Sequence, residues 1–123
     1  MSAVFCIVPL EFNSFYIAGS RRVHVPCSVD GHAFAADEKC INVGCRMWQD
    51  GDVEIHLGRA ADFLHYTEPH VEAFLETPRK KVLLFDANYP ELMSIRTDSV
   101  KTRIRIWANH ETEPDHVVVQ VGE

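Results

Sequence analysis

The chain contains no CxxC pair, no HxH or HExxH spacing, and no GxSxG, GxGxxG or GxxxxGK[ST] stretch. Each absence removes a chemistry. Paired cysteines build zinc ribbons, HExxH builds metalloprotease sites, and GxSxG raises the nucleophile of α/β-hydrolases. The glycine patterns cradle nucleotide phosphates. Long apolar runs are also missing, so no segment reaches the length needed to cross a bilayer as a helix. The apolar start, MSAVFCIVPLEF, has no basic residue ahead of it and is broken by Pro9 and Glu11, unlike a secretory leader. Cys6, Cys27, Cys40 and Cys45 therefore read as reduced thiols of a cytoplasmic protein.

Positive charge is scarce. Lys and Arg number 12 against 18 Asp and Glu, a net charge of −6 with histidines neutral. That balance opposes attraction to nucleic acid or anionic membrane and favours a basic protein partner. The 123 residues are 46% hydrophobic and 24% charged, which suits one folded domain over 1–123.

What is present is alternation. VFCIVPLEF is apolar at nearly every position, the pattern of a strand covered on both faces. SFYIAG, RRVHVP, HAFAA, CINVGCRMW, DVEIHL, KKVLLFDA, LMSIR, KTRIRIWAN and HVVVQVG add further extended segments, with Asp30–Gly31 and NYP as turns. Residues 40–57 read as a hairpin across QDG, with Ile41, Val43, Cys45 and Met47 on one face and Val53, Ile55 and Leu57 inward on the return. Residues 67–76 admit either a short helix capped by Thr67, with Val71, Phe74 and Leu75 as its stripe, or a strand; the helix is preferred. About nine strands with at most one short helix predict an antiparallel two-layer β-sandwich or small barrel.

Two segments nearly repeat, HYTEPHV at 65–71 and HETEPDHV at 110–117. His65, His70, His110 and His116 could surround a divalent transition metal if the two loops met, making a small metal-dependent barrel enzyme. The similarity collapses outside this window, whereas a structural repeat persists over a supersecondary unit. Thr-Glu-Pro is equally a chain-reversal signal, because proline fixes φ and biases the residue before it to an extended shape. The preferred reading is turn chemistry, with no cofactor and no catalytic residue. The cysteines read as apolar packing residues, and Cys40 and Cys45, five apart, fall on opposite strand faces.

Trp48 falls on the polar side of its segment, next to Asp50 and Asp52. An exposed tryptophan among carboxylates is a good anchor for a protein partner, since tryptophan is over-represented at binding hot spots. Lys101, Arg103 and Arg105 form a basic stripe that Glu54 and His56 of another strand could neutralise. The N-terminal strand offers an edge for a second copy of the chain.

LEFNSFYI, DGHAFAADEKCINV and DGDVEIHL, taken in order over residues 10–57 with an echo at KKVLLFDA, resemble the opening half of the competence protein J family, inhibitors of a bacterial DNA-entry nuclease. CSVDG stands where that family carries an acidic, tryptophan-bearing stretch. The resemblance implies a β-rich acidic inhibitor and transfers no site residue.

Overall fold

The computed structural model describes residues 3–27, 34–63 and 67–122. The Asp30–Gly31 turn and His65 lie outside these residues. Ten strands follow in chain order: β1 (Val4–Val8), β2 (Ser14–Ala18), β3 (Phe34–Ala36), β4 (Cys40–Gly44), β5 (Val53–Gly58), β6 (Val71–Glu76), β7 (Lys81–Phe85), β8 (Met93–Arg96), β9 (Lys101–Ala108) and β10 (His116–Val121). They form two open sheets of five, ordered β1-β5-β10-β9-β6 and β3-β4-β2-β7-β8. Each paired neighbour is antiparallel except β5 with β10, which run parallel. The architecture is the two-layer sandwich that the alternation predicts, with no closed barrel.

The core lies between the sheets. Phe15 and Ile17 of β2, Ile41 and Val43 of β4, Ile55 of β5 and Ile106 of β9 are all fully buried there. Alternation survives cleanly on β5, where Val53, Ile55 and Leu57 point in. It fails on β7 because both faces of that strand are covered. Val82 and Leu84 enter the main core, while Leu83 and Phe85 join Ala18 and Cys40 on the outer face beneath Val23 and Val25. RRVHVP thus buries two valines as irregular chain rather than as a strand, anchored where Asn42 Nδ2 donates to the Pro26 carbonyl at 2.9 Å.

Three local expectations are overturned. Residues 71–76 are a strand paired with β9, not a helix. Val71, Ala73 and Leu75 point inward at period two, and Phe74 is exposed with Lys101 over its ring at 5.8 Å. Ala73 is small enough that the helical and extended stripes look alike in sequence. Residues 40–57 are not a hairpin: β4 and β5 belong to different sheets. The chain leaves one sheet at Cys45, whose amide donates to Asn13 O (2.7 Å). Arg46, whose amide donates to Pro114 O (3.0 Å), starts it along the other. The inward residues of β4 and β5 therefore share the core as members of opposite layers. Finally, β1 is an edge strand, covered on one face only, with Val4, Phe5 and Ile7 exposed. A continuous apolar run marks burial on both faces only when a second layer is there to supply it.

Two buried threonine hydroxyls are paired where the chain passes from β6 to β7. Thr77 is fully buried, donates through Oγ1 to Ser99 O at 2.7 Å and shares a 2.7 Å hydrogen bond with the Thr102 hydroxyl. Thr77→Val should cost about 1–3 kcal/mol, because it takes the Thr77 partner from the buried Thr102 hydroxyl and leaves the Ser99 carbonyl with Thr97 Oγ1 alone. Urea denaturation checks this. A loss below about 0.5 kcal/mol, the level of an ordinary surface change, would show the network to be idle.

Candidate functional site at one end of the sandwich

The 45–52 crossover and the 109–115 loop between β9 and β10 meet at one end of the molecule. Residues Trp48–Asp50 form a single 3-10 turn, closed by Asp50 N donating to Met47 O at 2.9 Å. Gly51 follows at φ 133°, a left-handed conformation that a side chain would strain. Strand parity therefore does not govern this stretch. Met47, expected to point inward with Cys45, is 40% exposed, and Trp48 is 48% exposed on the same turn.

The partner loop is rigidly built. Asn109 Oδ1 accepts from the amides of Asp115 and His116, both at 3.1 Å, and its Nδ2 donates to Asp115 Oδ1 at 2.6 Å. Arg46 Nη1 reaches Asp115 Oδ2 at 2.8 Å, and Glu54 N donates to Asp115 O at 2.8 Å. The Asn109 hydrogen bond, then the charge of Arg46, holds the Asp115 carboxyl below its ordinary value. Arg46, Asp50, Asn109, His110, Glu113 and Asp115 line an open cleft of about 410 Å³ between the loops. Asp52 stands exposed where β5 begins. The result is an exposed Met47 and Trp48 at a turn that also carries Asp50, on a frame cross-linked by hydrogen bonds.

The histidines of the two near-repeats go different ways. His70 N donates to Ile106 O at 2.8 Å, and its Nδ1 accepts from Ala108 N at 3.2 Å. His110 Nδ1 accepts from the amides of Thr112 (3.2 Å) and Glu113 (3.0 Å), closing its own turn. His116 instead lies beside Glu54 and His56 on β5. Neither the Arg46–Asp115 tie nor this last grouping is visible in sequence, because both depend on β10 lying alongside β5. The only signal was the parity that sends Glu54 and His56 outward together.

Cys40 and Cys45 are buried on opposite faces of their sheet, and burial pushes both thiols up to about 12. A thiol that holds its proton so tightly is a packing group, not a nucleophile.

The basic stripe of β9 meets a carboxylate from β6 rather than from β5. Glu72 Oε2 accepts from Arg103 Nε and Arg105 Nε, each at 2.9 Å. These two hydrogen bonds hold the Glu72 carboxyl below its ordinary value of 4.5. A depressed folded-state value stabilises the fold above the unfolded value, and that stabilisation is lost as pH falls through the folded one. Glu72→Gln should therefore lower the melting temperature near neutrality and flatten its fall in acid. Melting curves from neutral pH down to about pH 3 test this, and an unchanged acid limb would refute it.

No family model matches the chain, and no curated protein does. Among solved structures, ComJ from Bacillus subtilis, described as an inhibitor of the DNA-degrading activity of NucA, matches over 98% of this chain and 95% of that one. The TM-score is 0.58 at 10% sequence identity. This chain shares the ComJ fold. A second structure, of the protein described as crocagin biosynthetic gene J, matches over 97% of this chain and 95% of that one, with a TM-score of 0.46 and 9% identity. Among the described residues no helix is long and apolar enough to cross a membrane.

Proposed function

We propose that this protein is a non-catalytic binding module that inhibits a basic protein partner, a nuclease by preference, in the cytoplasm. The observation that supports the reading is the exposure of Met47 and Trp48 at the turn that carries Asp50, with Asp52 exposed two residues further on. Apolar anchors inside a charged rim are the usual anatomy of a protein-binding surface. The acidic rim suits a cationic partner, steering the encounter and leaving the tryptophan to slow dissociation. The net charge of −6 acts in the same direction at longer range. ComJ, whose fold the chain shares, is described as an inhibitor of the DNA-degrading activity of NucA, which supports the inhibitor reading.

Affinity capture from native lysate, run side by side with wild type and Trp48→Ala, tests the proposal. A basic protein retained by wild type and lost by the variant, whose DNA-degrading activity falls when wild type is added back, supports it. Identical captures by the two chains, or a captured protein whose activity is untouched, would overturn it.

A further inference from the structure

Strands β5 and β10 run parallel with Glu54 opposite His116 and His56 opposite Val118. Residues two apart on a strand share a face, so Glu54, His56 and His116 stand together on the outer side of their sheet. Glu54 Oε2 lies 2.6 Å from His56 Nε2 and 3.2 Å from His116 Nε2. Two imidazole nitrogens thus converge on a single carboxylate oxygen, and the three donor atoms all lie within 4.8 Å of one another. The imidazole rings sit 5.0 Å apart, and Phe5 of β1 stacks on His56 at 5.3 Å, limiting that ring's freedom. All three side chains remain partly open to solvent, so an ion has a path in.

We propose that Glu54, His56 and His116 form a binding site for a divalent transition-metal ion of the zinc, cobalt, nickel or copper class. Imidazole nitrogen with one carboxylate suits these borderline ions, whereas magnesium and calcium prefer all-oxygen sets. Such ligands bind at about 2.0–2.2 Å, so donors already gathered this closely reach one ion by side-chain rotation alone. The donors stand on paired strands, a firmer base than the Thr-Glu-Pro loops. Three protein ligands leave a further coordination position for water or another small ligand. The site shares the Asn109–Asp115 frame with the Met47–Trp48 end, through the amides of Glu54 and His116, but its three donor side chains are not part of that turn, and zinc binding is read without any protein partner.

The test uses the full chain freed of metal by chelation, then titrated with zinc in a calorimeter and with cobalt(II) by visible absorption. One ion per chain should bind, with a cobalt spectrum of nitrogen and oxygen ligation. His56→Ala, His116→Ala and Glu54→Gln should each weaken zinc binding by at least the roughly 10–100-fold that supporting residues alone command. His24→Ala and His70→Ala should leave it unchanged. Zinc should also shift the ring resonances of two histidines in the wild-type spectrum, a readout that needs no variant to fold. Absence of stoichiometric binding, or binding that survives both His56→Ala and His116→Ala, would overturn the assignment. So would shifts in the rings of other histidines, leaving those of His56 and His116 unmoved.

Discussion

Phe15→Ala is expected to remove about 3–5 kcal/mol of folding stability, the cost of emptying an aromatic site in a packed core. Phe15 is fully buried, pairs across to Val43 and joins the core between the sheets from the second position of β2. No helix or disulfide compensates: among the described residues there is no α-helix, and all four cysteines are free. Domains of this kind have about 5–15 kcal/mol in total, so the variant should sit near the limit of folding. Its melting temperature should fall by about 10 °C or more. Urea denaturation of both chains gives the comparison. A loss under about 1 kcal/mol would mean that the space between the sheets is filled some other way.

Trp48→Ala has the opposite profile. Its ring is half exposed on the 3-10 turn, so stability should change by no more than about 0.5 kcal/mol. Affinity for the protein partner should fall by about 2 kcal/mol or more, roughly thirtyfold, mostly through faster dissociation. Asp50→Asn and Asp52→Asn should act differently again, slowing association and flattening its dependence on salt. Surface plasmon resonance at two ionic strengths separates the two effects. If Trp48→Ala bound as tightly as wild type, the end of the sandwich would not be the docking surface.

The sandwich was legible because side chains alternate along extended chain, and Val53, Ile55 and Leu57 announce their own inward face. Which strand lies beside which was not. The 40–57 segment has every local mark of a hairpin, yet its two arms sit in opposite sheets, since alternation reports a face and never a neighbour. Residues 71–76 were misread because Ala73 is too small to weigh one period against the other. At the candidate site, Trp48, Asp50 and Asp52 stand out by residue type, but the tie from the neighbouring Arg46 to Asp115 spans 69 positions of sequence and no local pattern announces it. In sequence His116 groups with the histidines of the near-repeats, whereas in the fold it lies beside Glu54 and His56. Its neighbours Glu54 and His56 are on a strand with no turn or repeat to link them to it.

The parallel pairing of β5 with β10 has a consequence for how the molecule is made. β5 holds β1 on one side and, on the other, β10, which follows the other nine described strands in chain order. Until β10 has emerged from the ribosome, this layer lacks its central strand. The opposite layer, built from strands no later than β8, is complete well before then. The layer that holds β5 thus keeps a vacant strand slot until β10 is made.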